Sequence, residues 1–191
     1  MSFKLLSEAS VSMPNYFDLP AIDITRNEAL RKLKISDSSY ESMFNTIARA
    51  MTEICNTPIA LISFVDEDRQ WFKSQVGLEG ILDTPIEQSF CAHTVLTEYT
   101  TVVEDATQDE RFKNNPLVTG NPKIRFYAGV PITLPLGEKI GSLCVIDTKP
   151  NQLDESKKSA LEGFAKVISQ ALLIRDVHTR SNLINPFKIT I

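Results

Sequence analysis

From Ser38 onward, the apolar residues Tyr40, Met43, Phe44, Ile47, Met51 and Ile54 recur every three or four positions, which gathers them on one stripe of a helix of about four turns. Ser38 and Glu41 have the spacing of a capping box at its start. Asn56 and Thr57 precede Pro58, and the residue before a proline is pushed out of helical geometry, so the helix is expected to end there. The pattern then changes. IALISFV (59–65) is a continuous apolar run of buried-strand length, Asp66, Glu67 and Asp68 form a polar turn, and Gln70 to Val76 read as the returning strand of a hairpin. Alternation sends Trp71 and Phe72 to opposite faces of that strand, one toward the core and the other toward the terminal helices or a partner. Gly77 and Gly80 break the chain next, where positive backbone angles cost little.

From Pro85 to Lys123 no period persists. Phe90 to Leu96 has the pattern of a short helix, Thr100 to Glu104 that of a short strand, and Asp105 to Asn115 that of a loop with a helical turn capped by Asp105. Pro116, Gly120 and Pro122 prevent a long helix. A second hairpin follows, with strands at Phe126 to Leu134 and Ile140 to Ile146; Pro131 in its first strand predicts an edge, a bulge or an interrupted ladder. Finally, Leu153, Ala160, Leu161, Phe164, Val167, Ile168, Ala171, Leu172 and Ile174 mark a long amphipathic helix reaching about Val177. Ahead of the first long helix, residues 1–24 contain Pro14 and Pro20 and no sustained period. Thr25 and Glu28 have capping spacing for a short helix bearing Ala29, Leu30 and Leu33. The expected organisation is an N-terminal arm (1–37), a domain (38–180) and a tail (181–191). Its order of helix, hairpin, irregular insert, hairpin and helix predicts an α+β fold, a central antiparallel sheet with the N- and C-terminal helices on one face.

Composition narrows the function classes. The 191 residues carry 20 lysines and arginines against 24 aspartates and glutamates, a net charge of -4, so there is no footprint for nucleic acid. No apolar run is long enough to cross a bilayer, and the first residues lack a secretory pattern. Three separated cysteines, Cys55, Cys91 and Cys144, make neither a disulfide scaffold nor a zinc motif and point to a reducing cytoplasm.

The segments ALISFVDEDRQWFKSQVGLEG, SFCAHTVL, VVEDATQDERFKNNPLVTG, IRFYAGVPI and GSLCVIDTKP, in this order and spacing, resemble the bacterial GAF domain family over residues 38 to 175. The resemblance implies a pocket on the sheet face opposite the helices, roofed by the irregular connections, and a role in small-ligand sensing or dimerisation within signalling proteins. The NKxxFxDE pattern of the cyclic-nucleotide-binding branch is missing, so cyclic GMP or cyclic AMP is not implied. Cys91 and His93 stand two apart without the surroundings of a bilin-binding cysteine. No downstream kinase, cyclase or DNA-binding module follows, so a stand-alone sensor or accessory subunit is expected.

The residues themselves leave alternatives. Alternation from Arg125 places Arg125, Tyr127 and Gly129 on one strand face and Phe126, Ala128 and Val130 on the other. That face offers a guanidinium fork, a phenol and an open floor, suited to a small anion or polar heterocycle. The alternative is an Arg125 ion pair with Asp105 or Glu104 and Tyr127 packed over it. Cys91 is a packing residue, a pocket wall or a nucleophile activated by His93; in a helix their side chains diverge. His93 orients a ligand or ties its helix to a carbonyl. Asp105 caps a turn or faces the pocket, Arg111 pairs with Asp105, Asp109 or Glu110, and Phe112 anchors the loop.

The expected function is a non-enzymatic small-molecule sensor with Arg125, Tyr127, Gly129, His93, Asp105 and Cys91 around its ligand. It would act as a homodimer through its terminal helices or through a signalling partner protein. No cofactor or ligand can be named from these residues. The competing expectation is a thiol-dependent redox enzyme, resembling reductases of free methionine sulfoxide, although that branch's paired-cysteine loop is absent.

Overall fold

The computed structural model of the chain describes residues 20–33, 35, 41–78 and 80–184. Six antiparallel strands form one sheet in the order β3-β2-β1-β6-β5-β4. In chain order the elements are α1 (Pro20–Leu33), α2 (Glu41–Cys55), β1 (Ile59–Val65), β2 (Arg69–Val76), β3 (Asp83–Pro85), α3 (Phe90–Thr94), β4 (Thr101–Val103), α4 (Pro116–Thr119), β5 (Phe126–Thr133), β6 (Lys139–Asp147) and α5 (Glu155–Ile184). The architecture is the α+β arrangement expected from the sequence. Among the described residues, no helix is long and apolar enough to cross a membrane.

Strand alternation splits the interior into two cores. Ala60, Ile62, Phe64, Phe126, Ala128, Val130, Leu143 and Val145 face α1, α2 and α5, where they meet Phe44, Ile47, Met51, Leu161, Ile168 and Leu172. Ile59, Leu61, Val65, Tyr127, Cys144 and Ile146 face the irregular connection, packing with Phe90, Cys91, Phe112, Val118 and Ile124. Trp71 and Phe72 divide between these two cores as alternation requires.

The first hairpin turns on Asp66, whose carboxylate accepts from the backbone of Asp68 and Arg69 at 3.4 and 3.3 Å. Asn56, with φ of 53°, ends α2 in the left-handed conformation. Pro131 interrupts no pairing. It lies opposite Ser142 on β6, while β4 pairs with β5 only at Tyr127 to Gly129, so the missing N–H of Pro131 falls beyond that strand.

Several expectations need correction. The first helix starts at Pro20, a residue preset for a helix's first turn, so Thr25 lies inside it and is no cap. Its Ala29 and Leu33 are buried, and Arg26 Nε donates to the Val65 carbonyl at 2.9 Å, which fixes α1 to the end of β1. Ile54 is 40% exposed, and Cys55 completes the buried stripe of α2 instead. Val167 and Ile174 point outward from α5, 45% and 54% exposed, with Ala165 taking the core position. That helix continues beyond Val177 to Ile184. Ser38 and Tyr40 lie outside the described residues.

Gly141 marks the closest approach of the two central strands. A Cβ there would stand 2.0 Å from the Ser63 carbonyl oxygen, whereas one on Gly163, in the exposed middle of α5, would meet nothing within 4 Å. In chemical denaturation, Gly141→Ala is expected to lose about 2–3 kcal/mol by overpacking. Gly163→Ala should gain about 0.5–1 kcal/mol from helix propensity.

Candidate functional site

The connection from Ile86 to Ile124 roofs the second core. Ser89 starts α3 by accepting a hydrogen bond from Ala92 N at 2.9 Å and anchors it by donating to the Gln70 side chain on β2. Inside the short helix, Phe90, Cys91, Ala92 and Thr94 turn inward while His93 turns to the flank. Cys91 and His93 therefore diverge, as helical spacing requires.

Aromatic contacts join α3 to the rest of the roof. Phe90 stacks on the fully buried Phe112 with centroids 4.0 Å apart and planes 11° apart. His93 meets the same ring edge-on at 4.8 Å, and the Arg111 guanidinium stands 5.0 Å from its centroid. Asp109 holds that guanidinium in a fork, accepting from Nε at 2.9 Å and from Nη2 at 2.6 Å. Phe112 is thus the anchor of the loop, and Asp109 is the partner of Arg111.

Polar ties set the roof's edges. Asp105 accepts from the Thr107 backbone at 3.0 Å and from its hydroxyl at 2.7 Å, forming a local turn. Asn115 caps α4 through Leu117 N and reaches across to the Gln88 carbonyl at 3.2 Å. Arg125 donates from Nη1 to the Val118 and Ile124 carbonyls, both at 2.9 Å.

Beneath this roof, the floor is a group of buried polar side chains. The Tyr127 hydroxyl is 2.7 Å from Thr94 Oγ1 and donates to Cys91 Sγ at 3.5 Å. Cys91 Sγ lies 3.7 Å from Cys144 Sγ on β6. Ser63 and Ser142, paired across β1 and β6, face the same core and have no accessible surface. The open floor expected at Gly129 is taken by the Tyr127 phenol itself: a Cβ on Gly129 would stand 2.2 Å from that hydroxyl. What remains between floor and roof is a cavity of about 40 Å³, walled by Leu61, Gln70, Phe72, Cys91, Leu117 and Tyr127 among others.

Of the six predicted site residues, Cys91 and Tyr127 line this cavity, and Gly129 lies under the phenol. His93, Asp105 and Arg125 are placed in the roof and its edges and not in the cavity wall. Arg125 is held by carbonyls; its charge lies near Asp105 and contributes to lowering that carboxyl's pKa. Sequence reasoning left out Thr94, Ser63 and Ser142 and gave Cys144 no place in the site. Alternation puts Ser142 and Cys144 on one face of β6, and the β5–β6 register makes that the face of Tyr127, but nothing local signalled their meeting with α3. Among the described residues, no three His, Cys, Asp or Glu side chains group as metal ligands would.

Burial pushes the His93 imidazole below its ordinary 6.5, and the Arg111 charge pushes it the same way against Asp109. Burial opposes the charge of Asp109, yet its hydrogen bonds from Arg111 prevail and hold it below the ordinary carboxyl range. The Thr107 hydrogen bonds do the same for Asp105. A histidine with a depressed folded pKa takes up its proton more readily after unfolding, so stability falls as pH drops below the unfolded value. The thermal midpoint should therefore decline between about pH 7 and about pH 5. His93→Gln should flatten that decline in calorimetry, because the two carboxyls titrate lower.

Known proteins converge on one family. The GAF domain profile matches residues 39–172. A cyclic di-GMP phosphodiesterase of Pseudomonas aeruginosa is 42% identical over 150 residues, covering 78% of this chain and 25% of that protein; the chain thus spans about a quarter of that relative's length. Among solved structures, the GAF domain of an Acinetobacter phosphoenolpyruvate-protein phosphotransferase superposes with a TM-score of 0.58 at 18% identity, covering 83% of this chain and 98% of that one. The free methionine-R-sulfoxide reductase of Neisseria meningitidis, solved with its substrate, gives a TM-score of 0.59 at 17% identity over 82% and 93% of the two chains. With the two-core sheet and its roofed face, these matches establish that the chain belongs to the GAF domain family.

Proposed function

We propose that this chain is a non-catalytic sensing domain for a small molecule, bound between the roof and the sheet. The observation that carries the reading is the cavity of about 40 Å³ beneath α3 and α4, where apolar walls meet a few polar side chains. Ligand pockets commonly hold about 300–1,000 Å³, so binding here requires the roof to lift. Binding and roof movement are then one event, and a ligand shifts the domain by its difference in affinity for the closed and open arrangements. Cys91 and Tyr127 would touch the ligand from the floor, and Gly129 would leave room for the phenol to move. His93, Asp105 and Arg125 would take part through the roof, which their contacts hold closed.

Thermal-shift screening of nucleotides, amino acids and small acids, followed by native mass spectrometry, tests this reading. At least one ligand should raise the melting temperature and remain bound. Leu117→Trp, which fills the cavity from α4, should abolish that shift while the protein stays folded. A panel without any stabilising compound, or a shift unchanged by the tryptophan, defeats the proposal.

The output follows from α5. Gly163, Val167, Gln170 and Ile174 form an outward stripe with spacings of four, three and four residues, and Val167 and Ile174 are among the exposed large apolar side chains. The stripe has the spacing of a helix-pair seam, which supports a homodimer through α5 that passes its state to a signalling partner. The Pseudomonas relative makes enzymes of cyclic di-GMP turnover the favoured class of partner. In sedimentation velocity the chain should run as a dimer, and Val167→Glu should convert it to a folded monomer.

A further inference from the structure

We propose that Cys91 and Cys144 are a peroxide-oxidised thiol pair, a modification site at which hydrogen peroxide closes a disulfide between α3 and β6. The site stands on geometry independent of the ligand reading. The two sulfurs come from residues 53 apart in sequence and lie 3.7 Å apart with both side chains buried. A disulfide bond is about 2.05 Å long, so each sulfur has to move by less than about 1 Å, a small rotamer adjustment at the end of a short helix.

The surroundings of the Cys91 sulfur favour its anion. The Tyr127 hydroxyl donates to it at 3.5 Å. The hydroxyls of Ser63 and Ser142 face it from the two central strands. Both serine oxygens are buried and have no hydrogen-bond partner among the described residues. A buried hydroxyl without a partner is costly, and two of them directed at one sulfur gain an acceptor when that sulfur becomes a thiolate. Burial alone would raise the Cys91 thiol, but the donor groups of Cys144, Ser142, Ser63 and Tyr127 around its sulfur more than offset it and bring it to about 7. Cys144 is pushed the other way by burial and by its hydrogen bond to Cys91, and stays protonated. Cys91 is therefore the attacking sulfur and Cys144 the resolving one.

The cavity selects the oxidant. Cys91 is in its wall, and Ile81, also in the wall, is 39% exposed, which brings the outer end of the space to the surface. A volume of about 40 Å³ admits a molecule little larger than water; with the roof closed, hydrogen peroxide fits and a bulky organic hydroperoxide does not. The Cys91 thiolate attacks one peroxide oxygen, forming the S–O bond as the O–O bond breaks. The departing hydroxide takes up the proton that the thiol had released, giving water and a sulfenic acid. Cys144 sulfur then attacks Cys91 sulfur. The S–S bond forms, the S–O bond breaks, and the hydroxyl leaves as water with the Cys144 proton. Two thiols are oxidised to one disulfide while one peroxide is reduced to two waters.

Peptide mapping after hydrogen peroxide treatment of the reduced, folded full chain tests the proposal. Blocking thiols under denaturing conditions should recover a peptide joining Cys91 to Cys144, with Cys55 still alkylated. Cys55 is the internal control: it is buried, and burial pushes its thiol up. In Cys144→Ser, dimedone should trap a sulfenic acid at Cys91, whereas Cys91→Ser should leave Cys144 unlabelled. The double variant Ser63→Ala/Ser142→Ala, a small change in volume, should slow Cys91 oxidation at neutral pH by about tenfold by raising its thiol pKa. Oxidation of Cys55 at the same rate as Cys91, no joined peptide in wild type, or an unchanged rate in the folded double variant overturns the assignment.

Discussion

Strands β1 and β6 pair from Ile59–Ile146 to Phe64–Gly141, and β1 shows neither face to water. A strand pair buried on both sides needs a cover on both sides, and the two covers here are unlike each other. Regular helices pack on one face, where aliphatic side chains repeat with helical spacing. An irregular connection packs on the other, where the chain supplies aromatic plugs and polar ties instead of a periodic stripe. The close approach at Gly141 lets these two central strands come together, and from that constraint follow two separate cores within a chain of 191 residues.

The irregular cover has the properties that sensing needs. It is attached by its own apolar core together with the Phe90–Phe112 stack and hydrogen bonds from Arg125, Asn115 and Ser89, whereas the helical cover packs through periodic apolar stripes. Free energies of local opening differ across a protein according to such contacts. The side with fewer regular elements lies above the polar floor. The helical side carries the outward stripe of α5. Sheet strands common to both cores lie between the roof and the helices.

Much of the fold was legible along the chain. IALISFV could be read as a two-sided buried strand because continuous apolarity over seven residues has few other uses. Alternation correctly divided Phe126, Ala128 and Val130 from Tyr127 and Gly129, because a strand's side-chain period does not depend on its neighbours. Asp105 was readable as a local cap for a similar reason: its partner Thr107 is two residues away. Helix stripes were less faithful. Ile54, Val167 and Ile174 matched the period yet face outward, since a period of 3.6 fixes an angle around the axis but not which arc the sheet will cover.

The site was less visible. Arg125 has the chemistry of an anion ligand, but its guanidinium is used on two nearby carbonyls. Gly129 offers a vacancy in the sequence that Tyr127 fills in space. Cys91 and Cys144 carried no pairing signal, and Ser63 and Ser142 looked like ordinary strand residues. The sequence by itself determined the order of elements, the face each strand residue takes, and the family, because those depend on local period and on motif order. Tertiary structure alone decided that α3 comes down onto the middle of β6, bringing two thiols and three hydroxyls to one buried point. That meeting depends on how the roof settles on the sheet, a long-range contact that no local spacing encodes.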